Sequence, residues 1–360
     1  MKVLILANKS TGLYKFRGEL LEAMIARNYE VYISVPEGDF IAELEQMGCK
    51  FINTSVSRRG VNPLTDLFLL WRYIKIIKRI NPDLIITYTI KPNIYGGLAA
   101  QITQKQYAVN ITGLGTAFER GHAVRYLVIN LYKYALKKAR VIFFENSGNR
   151  DVLTSLKCCK KEKTIVLNGA GVNTNLFKYQ PYPKNDVFRF LFIGRVMKEK
   201  GVDELFESMK RLVSEKRKCS LDVVGPFEDD YEEKISQYEH EGWLHYYGYQ
   251  KDVRTFINSC DCFVLPSYHE GMANTNLECA SSGRPIITSN IPGCKEAVID
   301  GVSGFLCEIK NVESLYQAMI KMNDSSTSER IVMGREGRKY MECVFDKENV
   351  VKETLKALML

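Results

Sequence analysis

The sequence predicts an α/β protein made of two doubly wound, parallel-sheet domains. Three observations lead there. The chain has 360 residues, more than one ordinary core accommodates and enough for two. Short, mostly apolar, β-branched runs alternate with longer amphipathic ones from the start, as expected of strands covered by helices on both faces. The alternation pauses once, at residues 178–186, where Lys-Tyr-Gln-Pro-Tyr-Pro-Lys-Asn-Asp carries two prolines and no apolar period, and then it restarts.

In the first half the strand-length runs are 3–7, 31–35, 84–87, 107–111 and 141–144, with helical patterns at 16–28, 63–79, 92–102 and 122–138. After the pause come strands at 189–193, 221–224, 262–265 and 285–288, with helices near 202–215, 231–241, 274–282 and 312–322. Residues 324–328 read as a polar loop, and 347–360 as a helix that can pack on either half. The expected domains are therefore 1–178 and 187–345, followed by a helical segment at 346–360. Ligands of such sheets bind outside the carboxyl ends of the strands. The residues just after each strand, and the cleft between the halves, are where chemistry is expected.

Composition narrows the class. With 46% hydrophobic and 26% charged residues the chain matches an average globular protein, which excludes a disordered tail, a collagen-like fibre and a disulfide scaffold. No apolar run approaches the roughly 18–20 residues of a membrane span, and 3–7 is too short for a signal segment. The ten cysteines follow no framework spacing, so they are expected to be reduced and mostly buried. Cys260-x-Cys262 lies in a strand, and the histidines at 122, 240, 245 and 269 do not complete a zinc site. Charge is uneven: residues 1–180 carry 26 basic and 13 acidic side chains, the remainder 24 and 29. The basic half points to a polyanion or an anionic surface.

After the first strand of the second half comes Gly194-Arg195-Val196-Met197-Lys198-Glu199-Lys200-Gly201. A diphosphate suits this set: a guanidinium that binds two oxygens, a point charge, and amides at a helix start. A solvated basic loop is the plain alternative. After strand 262–265, Glu270 closes a loop and Glu278 lies on the following helix. If most of that interval is helical, eight residues of rise separate the carboxylates by roughly 12 Å, beyond the ~5–10 Å of a glycosidase pair. The spacing suits two hydroxyl-bearing rings at opposite ends of a diphosphate, the shape of a nucleotide sugar.

Together, Gly194-Arg195, Lys200-Gly201, the carboxylates Glu270 and Glu278, and the later 292–296 and 300–305 stretches resemble the retaining GT-B glycosyltransferases of family 4. The resemblance implies two Rossmann-like domains facing each other across a cleft. It implies that Arg195 and Lys200 hold the donor diphosphate, Glu270 the sugar hydroxyls and Glu278 the ribose. Gly194 would stand at the phosphates, with the amides of Gly271, Met272, Ala273 and Asn274 beside the sugar. Tyr249 and Val253 would meet the base. No cofactor and no metal are implied, and the chain has no Asp-x-Asp.

Two departures stand out. The histidine that many members carry after the strand ending near Ile111 is replaced by Thr112-Gly113-Leu114-Gly115-Thr116-Ala117-Phe118, and His122 lies too far along. Thr112 and Gly113 are then expected on the acceptor side, their backbone contacting the reacting sugar as in relatives with a similar loop. The proline usual after Glu-Gly-x is Ala273 here. Gly113-x-Gly115 is no dinucleotide fingerprint, because Phe118 takes the third position and no acid-ended strand follows about twenty residues on. The 8–13 loop with Gly12 is either an acceptor-pocket wall or an ordinary turn.

Residues 63–79 and 125–140 interleave apolar and basic side chains, as helices lying in an anionic headgroup layer do. Core-facing helices with a solvated outer face give the same pattern. No recognition helix or aromatic sheet motif accompanies the charge, so nucleic acid is not expected. The expected function is transfer of a hexose or N-acetylhexosamine from a nucleoside diphosphate, UDP, to a lipid-linked saccharide. The enzyme would be cytoplasmic and peripheral on the inner face of the cell membrane. The alternatives are an epimerase or hydrolase acting on the nucleotide sugar, or a catalytically silent partner subunit.

Overall fold

A computed structural model describes residues 1–56, 62–115 and 122–360. Thr116, Ala117, Phe118 and the side chain of His122 lie outside the described residues. The chain divides into two units, Met1–Ala170 with Lys347–Leu360, and Gly171–Asp346.

The first unit runs β1 (Lys2–Leu6), α1 (Ser10–Ala26), β2 (Glu30–Val35), α2 (Ile41–Gln46), β3 (Lys50–Asn53), α3 (Pro63–Ile80) and β4 (Leu84–Tyr88). A π-helical turn, Pro92–Gly96, leads into α4 (Gly97–Ile102), followed by β5 (Tyr107–Ile111), α5 (His122–Leu136), β6 (Val141–Phe144), α6 (Ser147–Ser155) and β7 (Thr164–Val166). Among the described residues the strands form one parallel sheet in the order β3-β2-β1-β4-β5-β6-β7. Alternate side chains feed two cores, as the period of a strand requires. Val3 and Ile5 join Leu20, Leu21 and Met24 of α1, whereas Leu4 and Leu6 join Leu69, Tyr73 and Ile77 of α3.

The second unit runs β8 (Phe188–Ile193), α7 (Val202–Ser214), β9 (Cys219–Val224), α8 (Glu232–His240), β10 (Leu244–Tyr246), α9 (Arg254–Ser259), β11 (Cys262–Leu265) and α10 (Asn274–Ser281). It continues through β12 (Ile286–Ser289), β13 (Gly304–Cys307), α11 (Val312–Asp324) and α12 (Thr327–Val344). These strands are also parallel, in the order β10-β9-β8-β11-β12-β13. In both sheets the order reverses beside the first strand of the unit, which puts a switch point there.

The structure revises several expectations. Residues 178–186 are not a free linker but part of the second unit: Tyr182 Oη donates to the Asp261 carbonyl at 3.0 Å and Asn185 Nδ2 to its carboxylate at 2.8 Å. The prolines stop regular structure there, yet the Tyr182 ring lies beneath the guanidinium groups of Arg284 and Arg330. The boundary falls instead at Ala170/Gly171. The last helix, α13 (Lys347–Leu358), sits on the first unit, where Val350, Leu355 and Leu358 enter the α1 core and Lys347 Nζ lies 3.3 Å from Glu19. The polar stretch 324–328 starts a helix: Ser326 caps α12 and exchanges hydrogen bonds with Glu329 in a capping box. The cysteines form no disulfide, and only Cys343 is exposed.

Candidate active site

The second unit builds its site from the loops after β8, β9 and β11. Gly201 ends a 3-10 turn, Lys198–Lys200, in the left-handed region at φ 71°, and a Cβ there would lie 2.1 Å from the Pro266 carbonyl oxygen. Only glycine allows that approach, so the Lys200 loop packs directly on the loop leaving β11. Tyr268 N–H donates to the Glu199 carbonyl at 2.9 Å across the same seam. Gly225, at φ 144°, plays the matching part between the loops after β8 and β9, since a Cβ there would sit 1.8 Å from Gly194 O.

These approaches bring side chains together that are far apart in sequence. Lys200 Nζ forms an ion pair with Glu270 Oε1, and the same oxygen accepts a hydrogen bond from Ser267 Oγ at 2.8 Å. Burial pushes the Glu270 carboxyl up, but the charge and hydrogen bond of Lys200, the Ser267 hydroxyl and nearby His269 outweigh it and hold the group below its ordinary value. Arg195 Nη1 lies 3.2 Å from Glu228 Oε2. Two cations on one loop are thus each balanced by a carboxylate from another loop, an arrangement ready to exchange those carboxylates for phosphate oxygens.

The other expected donor residues lie after β8, between β11 and α10, on α10 and before α9. Gly194 follows β8 directly, its N–H on the Val224 carbonyl at 2.9 Å. Gly271, Met272 and Ala273 are buried and lead into α10, which starts at Asn274 and places half-buried Glu278 in its second turn. Helix therefore covers only the later half of the Glu270–Glu278 interval, and the 12 Å helical estimate does not apply to it. Of the four amides expected beside the sugar, Ala273 N–H donates to Gly293 O at 2.7 Å and Asn274 N–H to Met272 O at 2.9 Å. Both bonds are internal to the unit, the first reaching the loop after β12 and the second closing the turn before α10. Exposed Tyr249 and half-buried Val253 sit in the loop before α9, linked to the β9 end by Gly225 N–H donating to Gly248 O at 2.8 Å.

In the first unit Thr112 and Gly113 immediately follow β5, half-buried. Gly12 is not in a loop: α1 begins at Ser10, so Gly12 lies in its first turn. Sequence reasoning missed Ser267, Glu228 and a buried Arg17–Glu145 ion pair. Each of the three acceptors or donors Ser267, Glu228 and Glu145 lies within a few residues of a strand end, so the rule that chemistry gathers there would have flagged them.

The model of glycosyl transferases group 1 matches residues 175–340, and the glycosyl transferase 4-like model matches residues 2–146. The chain belongs to the group 1, family 4-like glycosyltransferases. It is similar to the N,N'-diacetylbacillosaminyl-diphospho-undecaprenol alpha-1,3-N-acetylgalactosaminyltransferase of Campylobacter jejuni, with 29% identity covering 88% of this chain and 87% of that protein. It is also similar to the capsular polysaccharide biosynthesis glycosyltransferase CapM of Staphylococcus aureus, 27% identical over 98% of this chain and 95% of the relative. Among solved structures, Anabaena Alr3699/HepE in complex with UDP and glucose superposes with a TM-score of 0.82 at 18% identity, covering 100% of this chain and 99% of that one. The glycosyltransferase has the GT-B fold.

Proposed function

We propose that this glycosyltransferase moves a hexose or N-acetylhexosamine from a UDP-linked donor to a lipid-linked saccharide in surface polysaccharide assembly, with retention at the anomeric carbon. One observation carries this reading: Lys200 and Glu270, 70 residues apart, meet at the carboxyl ends of β8 and β11, with Arg195 on the same loop as Lys200. Departure of the nucleotide builds negative charge on the diphosphate, and Arg195 and Lys200 offset it without a metal ion. Glu270 would hold the sugar hydroxyls and Glu278 the ribose. The acceptor hydroxyl would attack on the face the nucleotide leaves, giving its proton to a donor phosphate oxygen. The diphospho-undecaprenol in the name of the Campylobacter relative and the UDP in the Anabaena structure support the choice of acceptor and nucleotide.

Work on a lipid-linked acceptor calls for a membrane surface, although among the described residues no helix is long and apolar enough to cross one. Helix α3 supplies a docking face. Its inner side is core, through Leu69, Tyr73, Ile76, Ile77 and Ile80. Its outer side carries Leu64, Leu67, Phe68 and Trp71, 71, 63, 70 and 53% exposed, at helical spacing. Exposed Arg72, Lys75, Lys78 and Arg79 continue that side, and Lys75 Nζ lies 3.5 Å from the centroid of the Trp71 ring. An exposed apolar stripe edged by cations fits an anionic leaflet, which would place the enzyme on the inner face of the cell membrane.

Two experiments test the reading. UDP release from a UDP-sugar should depend on an added lipid-linked acceptor; release without acceptor would mark a hydrolase. The protein should sediment with anionic but not zwitterionic vesicles, less so as salt rises, and Phe68→Glu with Trp71→Glu should abolish it. Indifference to anionic lipid would end the membrane proposal.

A further inference from the structure

We propose that Glu228 is a built-in competitor for Arg195, a carboxylate fixed beside the guanidinium so that it opposes the nucleotide's diphosphate and speeds release of the product. The inference rests on the donor-site reading above and assigns Glu228 a positioning and release role within it.

The loop 225–230 is fastened to the Arg195 loop along its length. Val196 N–H donates to Pro226 O at 2.9 Å, Glu228 N–H donates to Val196 O at 3.0 Å, and Lys198 N–H donates to the Asp229 carboxylate at 2.9 Å. Phe227 stacks on Tyr246 with ring centroids 4.5 Å apart. The backbone of Glu228 therefore cannot drift, and its carboxylate stays within reach of Arg195 at 3.2 Å. Both side chains keep some solvent, 34% exposed for Arg195 and 18% for Glu228, so the pair can open without leaving a charge stranded.

The chemistry explains what such a partner does. A UDP-sugar carries its diphosphate as a diester; once the sugar leaves, the terminal phosphate has one more ionisable oxygen. Attraction to Arg195 and Lys200 thus rises after transfer, and an unopposed pair of cations would retain the product. A carboxylate that reclaims Arg195 reduces this retention, and release of product limits turnover in many enzymes.

Calorimetric titration of UDP into the full chain tests this, with wild type, Glu228→Gln, Arg195→Gln and the double variant, each checked for an unchanged melting temperature. Glu228→Gln should bind UDP about fivefold more tightly, about 1 kcal/mol for a partly exposed pair. UDP should inhibit its turnover at correspondingly lower concentration. In the Arg195→Gln background the Glu228 substitution should have no such effect. An affinity that stays the same or falls in Glu228→Gln, or a gain that persists without Arg195, would overturn the role of Glu228. If Arg195→Gln itself leaves UDP binding intact, the donor-site reading falls and this inference with it.

Discussion

Removing Lys200 should damage stability and chemistry by separable amounts. The Lys200 and Glu270 side chains are only 17% and 15% exposed. Lys200→Ala leaves Glu270 the hydrogen bond from the Ser267 hydroxyl. Breaking a fully buried pair costs about 3–5 kcal/mol; with this solvent access and that hydroxyl, about 1–3 kcal/mol is expected. The chemical loss is larger, because one donor to the departing diphosphate is worth about 10²–10³ in turnover. Lys200→Met with Glu270→Gln removes both charges, so the double variant should recover most of the stability and none of the turnover. Calorimetric melting and acceptor-dependent UDP release measure the two effects. The reasoning fails if Lys200→Ala keeps turnover within tenfold of wild type, or if the double variant regains turnover along with its stability.

Other expectations follow from the same geometry. Because Glu270 is held below its ordinary value of 4.5, its contribution to stability is complete above that pH and lost as pH falls through the lower folded value. The melting-temperature advantage of wild type over Glu270→Gln should therefore shrink on acidification below about 4.5, and a gap that widens would contradict the pairing. Gly225→Ala would drive a Cβ into Gly194 O, so it should lose more stability than the ~1 kcal/mol typical of a point substitution, whereas Gly242→Ala, with no atom within 4 Å of its added Cβ, should cost only backbone strain, both read by thermal melting. Burial lifts the thiols of Cys49, Cys158, Cys159 and Cys219 to about 11 and those of Cys260 and Cys307 to about 12. Native protein at pH 8 should accordingly react quickly with a thiol reagent at Cys343 alone, and Cys343→Ser should remove that fast phase.

The fully buried central strands were the most legible part of the fold. Residues 107–111, 141–144 and 262–265 are predominantly apolar runs whose limits coincide with β5, β6 and β11. The strands β3, β7, β10 and β13 were not visible, because each lies at a sheet edge, where three or four residues carry too little pattern. Proline misled at 178–186: it signals an end to regular structure, not an end to packing, and Tyr182 is anchored there. Capping was underused, since Ser326 followed by Glu329 announces α12.

At the site, Arg195, Lys200, Glu270 and Glu278 stood out because charged groups after strands invite a chemical explanation. Their partners did not. Glu228 was hidden in a run of acids, and Ser267 among small polar residues, while only the close approaches at Gly201 and Gly225 reveal which loops touch. The two amphipathic segments show the same limit. Sequence listed the apolar residues of 63–79 together, and folding sorted them into a core side and the exposed Leu64, Leu67, Phe68 and Trp71.

A crystal structure of the protein soaked with UDP-sugar tests the central claim most directly. The diphosphate oxygens should lie within about 3 Å of the Arg195 guanidinium and the Lys200 ammonium, with Glu278 at the ribose and Glu270 at the sugar. A nucleotide bound elsewhere, with those four side chains turned to solvent, would contradict it.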